Sequence, residues 1–280
     1  IMEGKGIREK ENLYIAAVSQ FGTDTFGLAY NDLTTGENKA ALLNGEELAI
    51  NELSVLGVKE IVVDPEFDKE ILAKIKERTG AAVSYEDNTS IDGSFVKLLD
   101  NVYSEELCAT FARLCNYLYR TQKRSLDHLQ PVHTYKTEQF MKIDYYSKRN
   151  LELTETIRSK GKKGSLLWLL DETKTAMGGR LLKQWIERPL IQKNEIIKRQ
   201  NVVEAFLQHF FEREEIREKL KEVYDLERLA GRVAYGNVNA RDLIQLKCSL
   251  QQIPSLKELV SRLETEEAEE LANRLDPCQE

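Results

Sequence analysis

Three aspartates stand where clustered carboxylates could bind metal ions and support phosphodiester hydrolysis. Asp24, Asp32 and Asp64 lie at or beside the ends of predicted β-strands, and two-metal nucleases hold their ions with carboxylates. The first predicted strand, at residues 13–20, carries no aspartate to complete such a set. Asp24 and Asp32 are also typical turn residues. We therefore expect no nuclease centre and keep metal-dependent nuclease activity as the alternative hypothesis.

Neither the thiols nor the imidazoles suggest another reactive centre. The four cysteines include no C-x-x-C pair, and the three histidines lack cysteine or carboxylate partners at metal-ligand spacing. Reduced structural thiols and packed histidines are expected. The sequence also contains no G-x-x-x-x-G-K-S/T phosphate loop, so we expect no nucleotide site of that kind on this chain.

The composition predicts a folded chain of two domains. The 280 residues suffice for two modest cores, and 41% hydrophobic with 31% charged residues fits neither a disordered nor a membrane-embedded protein. No apolar run approaches the roughly 18 residues of a membrane-spanning helix. The first residues also lack the charged segment followed by an apolar segment that is typical of a signal peptide. We therefore predict a cytosolic protein without a membrane partner. The net charge of −7 argues against extensive coating by DNA.

One segment departs from this acidic balance. From Lys123 to Lys163 the chain carries ten Lys and Arg residues against five Asp and Glu residues. Two interpretations stay open: a solvated hinge with a solvated helix face, or a surface that lies near nucleic acid.

The first half of the chain alternates predicted strands with helices. The strands are predicted at residues 13–20, 26–31, 39–43, 59–64 and 81–85. One helix is predicted after Asn44, which would be the N-cap with Glu47 as capping-box partner, and another from Pro65 to Glu77. A third helix opens at Ser104 and has an apolar face that would cover the sheet. This order predicts an α/β domain with a mixed sheet, at residues 1–122.

The second half is predicted to be an all-α domain, at residues 141–280, after a linker at residues 123–140. Polar residues and Pro131 mark the linker, and its first part, residues 123–135, is a candidate hinge. Helices are predicted at residues 145–157 and 175–188, and from Asn194 and Asn239 onward. The helix predicted from Asn194 has apolar residues on one face that we expect to be buried, namely Ile196, Val203, Leu207 and Phe210.

A series of sequence blocks in this helical half carries a family resemblance. The blocks lie at residues 149–153, 165–171, 175–182, 185–190, 199–203, 225–229 and 239–243. Their order and spacing resemble the core domain of bacterial MutS-type DNA mismatch repair proteins, and the first half is similar to the MutS connector domain. The motif positions that we assign to structural roles are Arg149, Asn150, Leu151, Glu152, Gly178, Arg180, Pro189, Asp225, Glu227 and Arg228.

These motif positions need no catalytic chemistry to explain their residue types. We expect the charged ones to form ion pairs between helices, Gly178 to permit close helix approach, and Pro189 to stop a helix. Phe210 opens an F-x-E string like that of the family's mismatch reader. We attribute the match to coincidence, because Phe210 should be needed for packing.

The resemblance implies a fold and a function for the whole protein. It implies a ribonuclease H-like connector followed by the first part of the helical core, which relay conformational state between mismatch binding, ATPase and clamp. It also implies a MutL-type partner, contact with mismatched DNA through other domains, and a homodimer in the full-length form. ATP and Mg would be bound elsewhere in the full-length protein, so this chain would not itself be an enzyme.

Two further points remain hypotheses. The polar stretch from Tyr85 to Asn101 is our candidate for the MutL-facing surface, with Glu86, Asp87 and Asp92 as contact residues. A helical scaffold unrelated to repair, with the α/β domain as a binding module, is the second alternative.

Overall fold

Three consecutive apolar or alternating segments form the antiparallel part of a six-stranded sheet in the computed structural model, which describes residues 9–122 and 125–278. Two parallel strands extend the sheet beyond β1, and a short strand is parallel to β3 at the other edge, giving the order β5-β4-β1-β2-β3-β6. The strands are β1 Tyr14–Phe21, β2 Thr25–Asp32, β3 Glu37–Asn44, β4 Glu60–Val63, β5 Ala82–Tyr85 and β6 His133–Thr134. The predicted mixed sheet is thus confirmed.

Helices cover both faces of this sheet. They are α1 Glu46–Leu56, α2 Lys69–Thr79 and α3 Glu105–Thr121, with a short 3-10 helix at Val96–Leu99. Successive side chains of a strand point to opposite faces, so Ala16 and Val18 pack with α1 and α2, whereas Ala17 packs with α3. The predicted cover of the sheet by the helix after Ser104 is therefore observed.

Small residues let α3 lie close to the central strands. Ala17, Ala29 and Ala40 face α3 from β1, β2 and β3. At Gly27 on β2, a Cβ atom would lie 2.3 Å from Oγ1 of Thr110 on α3. Any side chain at residue 27 would therefore force the side chain of Thr110, or the helix that carries it, to move.

The helix starts show where local sequence decides the structure. Ser104 caps α3 by accepting a hydrogen bond from the Leu107 N–H, as predicted. Asn44 is instead the last residue of β3, and Gly45, at a φ of 98°, is the N-cap of α1 without a side-chain bond. The second helix begins at Lys69 and not at Pro65, because the Asp68 side chain accepts from the N–H groups of Glu70 and Ile71.

The predicted linker is largely part of the α/β fold. Leu126, Leu129 and Val132 are buried in the core on the α3 side of the sheet, and β6 is paired with β3. Residues 125–135 are therefore held by packing and backbone pairing, so the hinge prediction is wrong for them. Lys123 and Arg124, which belong to the same prediction, lie outside the described residues.

The described residues form two compact units. The α/β domain contains the described parts of Ile1–Glu138, Lys142–Leu151 and Ala230–Gly236; the helical domain contains those of Gln139–Met141, Glu152–Leu229 and Asn237–Glu280. Residues 142–151 and 230–236 thus fall in the α/β domain, although the sequence analysis placed both in the helical half. No described helix is long and apolar enough to cross a membrane.

Four helices build the core of the helical domain. The remaining helices are α4 Tyr145–Asn150, α5 Leu166–Leu170, α6 Ala176–Glu187, α7 Lys193–Gln208, α8 Phe210–Lys221, α9 Leu226–Tyr235, α10 Ala240–Ser261 and α11 Glu266–Asn273, and a 3-10 turn spans Thr137–Gln139. Side chains from α7, α8, α10 and α11 meet in one buried cluster that includes Ala205, Ile216, Leu259 and Ala268. Asn239 and Asp242 form the capping box that starts α10.

Three helix predictions need correction. The helix predicted at residues 145–157 ends at Asn150, where turns follow. The helix predicted from Asn194 starts one residue earlier and breaks at His209, so Phe210 begins α8. Its expected core face is exposed, since Ala205 and not Val203 or Leu207 turns to the core. Phe210 is 54% exposed, so the packing role predicted for it is wrong.

Candidate functional site

A buried arginine lies where the carboxyl ends of β1, β4 and β5 meet. Nη1 of Arg113 on α3 is 3.1 Å from Oδ2 of Asp64, which follows β4, and also donates to the backbone carbonyl of Glu86, which follows β5. Its Nε donates to Oγ of Ser19 on β1 at 3.3 Å. This edge of the sheet therefore holds a guanidinium that is paired with a carboxylate.

Of the three aspartates considered for metal binding, Asp32 and Asp64 lie near opposite ends of β1, and Asp24 lies in the turn between β1 and β2. Tyr14 at the start of β1 pairs with Asp32, whereas Asp64 lies near Ser19, five residues further along β1. At about 3.3 Å per residue, this separation is roughly 16 Å along the strand. The side chain of Asp32 accepts hydrogen bonds from Asn12 and from Leu13 and Thr34. Within residues 9–122 and 125–278, no group of three His, Cys, Asp or Glu side chains could hold a metal ion.

The loop that follows β5 contains the three predicted partner contacts. Asp87 and Asp92 are exposed, but the side chain of Glu86 is only 8% exposed and its Oε2 lies 2.8 Å from Nε of Arg120. Glu86 is an internal anchor, so its prediction as a surface contact is wrong. Its polarity suggested a surface position, but two arginines of α3 bind it.

Asp92 organises the second half of this loop. Its Oδ1 accepts hydrogen bonds from the backbone N–H and the hydroxyl of Ser94, at 2.9 and 2.7 Å. These bonds lower the pKa of the Asp92 carboxyl below its usual value. Around it the surface is partly apolar, with Tyr85, Ile91 and Val96 exposed.

In the helical domain, two motif blocks meet at one buried arginine. Arg180 on α6 is 3% exposed and binds both carboxylate oxygens of Asp225, at 2.6 and 2.8 Å, and Oε2 of Glu227 at 2.7 Å. Burial alone would lower the pKa of Arg180, but the hydrogen bonds with Asp225 and Glu227 outweigh it and raise that pKa. The cluster joins α6 to the start of α9 with its charges satisfied.

The other motif residues have local roles. Arg228 is buried beside Asp225, and Pro189 follows the end of α6 and accepts a backbone hydrogen bond from Met141. A Cβ atom on Gly178 would lie 3.0 Å from Oγ1 of Thr175, the residue that caps α6. The close neighbour of Gly178 is thus its own helix cap, and not another helix as predicted.

Residues 149–152 differ from expectation. Arg149, Asn150 and Leu151 are exposed in the last turn and C-cap of α4, and Arg149 forms no ion pair with a described residue. Glu152 accepts a hydrogen bond from the Ile157 N–H at 2.7 Å and has a φ of 48°. The expected ion pairs between helices are thus not found at Arg149 or Glu152.

Sequence reasoning missed several residues of α3 that matter most to the loop after β5. Arg113, Asn116 and Arg120 bind this loop, occupy positions i, i+3 and i+7, and therefore share one side of the helix. That polar spacing, next to an apolar face, was the signal available in the sequence.

Family models match both halves of the chain. Residues 13–130 match MutS domain II and residues 147–279 match MutS domain III. The chain therefore contains MutS domain II in its first half and MutS domain III in its second half.

Curated relatives agree along the whole chain. The DNA mismatch repair protein MutS of Geobacillus sp. (strain WCH70) is 58% identical over 280 residues, which are 100% of this chain and 33% of that protein. The MutS protein of Bacillus subtilis (strain 168) is 60% identical over 278 residues, 99% of this chain and 32% of the relative. The chain belongs to the MutS family. It spans about a third of the length of these relatives.

Proposed function

We propose that this chain supplies the connector and the first part of the core of a MutS-type mismatch repair protein, and that it relays conformational state between mismatch binding, ATPase and clamp. The observation that carries the relay role is the cluster of Arg180, Asp225 and Glu227, which ties together two motif blocks. A helix pair fixed by such a cluster moves as one body and so can transmit displacement.

The chain itself is proposed to be non-catalytic. The strand order supports a ribonuclease H-like connector, but Arg113 neutralises Asp64 at the sheet edge where clustered acids would be needed. We place the ATP and Mg sites, the mismatch reader and the clamp in other parts of the full-length protein, which we propose to act as a homodimer on mismatched DNA.

A gel-shift titration of this chain with homoduplex and mismatched DNA, at two salt concentrations, tests the division of labour. We expect weak binding that decreases with salt and has no mismatch preference, because the chain has a net charge of −7 and only local basic segments. A clear preference for mismatched DNA would contradict the proposal that mismatch reading lies elsewhere.

We further propose that the loop from Tyr85 to Asn101 contacts a MutL-type protein. Its exposed acids, Asp87 and Asp92, and its exposed apolar side chains suit a partner surface that combines basic and apolar residues.

Charge reversal tests this contact directly. The double variant Asp87→Lys/Asp92→Lys should weaken binding of a MutL-type protein about tenfold or more, measured by calorimetry. The control Glu70→Lys/Glu77→Lys changes the same number of charges on α2. This helix covers the face of the sheet opposite to α3, the helix that binds the loop. If both double variants bind equally well, the loop is not the contact surface.

A further inference from the structure

The loop after β5 is irregular, yet its backbone is fastened to α3 at several points. Between Glu86 and Phe95 the chain forms neither helix nor strand. An irregular segment would ordinarily have its backbone carbonyls bonded to water. Here four of these carbonyls, and that of Tyr85 at the end of β5, accept hydrogen bonds from side chains of α3.

Asn116 makes the central connection. Its Nδ2 donates to the carbonyl oxygens of Asn88 and Ser90, both at 3.0 Å. One carboxamide thus fixes two alternate residues at the exposed tip of the loop.

Two residues fasten the ends of the same segment. Arg120 donates from Nη2 to the Tyr85 carbonyl at 3.1 Å while its Nε binds the Glu86 carboxylate. Tyr119 donates from its hydroxyl to the Ser94 carbonyl at 3.3 Å, and its ring centroid lies 5.9 Å from that of Phe95.

We propose that Asn116, assisted by Arg120 and Tyr119, is a positioning residue that holds the loop in the shape that binds the MutL-type partner. The inference rests on the proposed function of this loop. Ordering a free backbone segment costs conformational entropy, and binding to a flexible surface includes that cost. Bonds from α3 meet the cost during folding, so the partner encounters a surface that is already ordered.

The variant Asn116→Leu tests the role of the carboxamide. Leucine has a similar size, favours the helix and offers no donor. We expect the amides of Asn88, Ser90 and Ser94 to exchange hydrogen about tenfold faster. The partner should bind about tenfold more weakly, and the melting temperature of the chain should stay unchanged.

Two further variants provide rescue. Asn116→Gln retains the donors and should restore most of the affinity. Adding Gly93→Ala to Asn116→Leu should restore part of the affinity, because alanine reduces the number of backbone conformations open to the loop. Position 93 can accept alanine, since a Cβ there meets nothing within 4 Å and the backbone of Gly93 is outside the left-handed region.

The outcomes separate this inference from the proposed contact. If Asp87→Lys/Asp92→Lys weakens binding but Asn116→Leu leaves it unchanged, the positioning role is refuted and the contact surface stands. If Asn116→Leu accelerates hydrogen exchange but neither Asn116→Leu nor Asp87→Lys/Asp92→Lys changes the affinity, both the positioning role and the contact surface are refuted. Lower affinity of Asn116→Leu together with rescue by either second variant supports the positioning role.

Discussion

The α/β domain and the helical domain differ in how completely they bury their large apolar side chains. Among the described residues, all but two of the largest fully buried side chains belong to the α/β domain; the exceptions are Leu229 and Leu263. Most of the exposed large apolar side chains, among them Phe211 and Leu207, belong to the helical domain. Helices bury the apolar side chains on both faces of the sheet, whereas several helices of the helical domain have apolar side chains exposed to solvent.

The difference indicates two sources of stability. Apolar burial is the dominant favourable term in folding, so the α/β domain should be the more stable of the two. In the helical domain, polar contacts between helices add to a smaller apolar core, such as those of Arg180 with Asp225 and Asn201 with Glu267.

A matched pair of leucine substitutions tests this difference between the two cores. Leu114 and Leu263 are both 0% exposed, one against the sheet on α3 and the other beyond the end of α10. Leu114→Ala should leave a cavity in a rigid core and lower the free energy of unfolding of its domain by about 4–5 kcal/mol. Leu263→Ala should cost about 2–3 kcal/mol, since a small helical core can collapse around the gap.

Hydrogen exchange of the slowest amides in each domain measures these two free energies separately. Leu42→Ala, at a partly exposed position of β3, is the control and should cost under about 1 kcal/mol. Equal losses for Leu114→Ala and Leu263→Ala would show that the two cores are equally rigid.

The buried ion-pair cluster gives the next largest effect. Arg180→Met retains much of the side-chain volume but removes the partner of Asp225 and Glu227, and should destabilise the helical domain by about 2–4 kcal/mol. Arg262→Met is the control. Arg262 is the C-cap of α10 and forms an exposed ion pair with Glu258 of that helix, which should contribute only about 0.3–0.5 kcal/mol. Denaturant titration should find unchanged stability in the α/β domain, and similar losses for both variants would mean that burial does not strengthen the cluster.

Sequence reasoning succeeded where one local bond decides the structure. Ser104 and Thr175 start helices because each hydroxyl accepts from an N–H three residues on, and Asn239 forms a capping box within the same span. It failed at Asn44, because pairing with Thr25 of β2 keeps that residue in β3. Tertiary pairing overrides a local capping preference.

The candidate sites show the same limit over longer distances. The resemblance singled out Arg180 and Asp225, but their 45-residue separation gives no local signal that they bind each other. Glu86 was expected at the surface because it is charged, whereas Arg120, 34 residues later, buries and neutralises it. Residues that meet only through tertiary packing could not be paired from spacing alone.

The smallest effect concerns acid sensitivity of the contact between α7 and α11. Asn201 donates from Nδ2 to Oε1 of Glu267 at 2.7 Å, and this bond, helped by the backbone N–H of Glu267, lowers the pKa of that carboxyl from its ordinary 4.5. A carboxyl with a lowered pKa in the folded state stabilises the fold above pH about 4.5, and the contribution is lost as pH falls through the folded-state pKa.

Asn201→Leu removes the donor, so the pKa of Glu267 should return towards 4.5. The urea midpoint of the variant should then decline less steeply than that of the parent chain below that pH. NMR titration of the Glu267 carboxyl in both proteins measures the cause directly. An equally low pKa in the variant would assign the shift to the N-terminus of α11 and to the charge of Lys198, and not to the bond from Asn201.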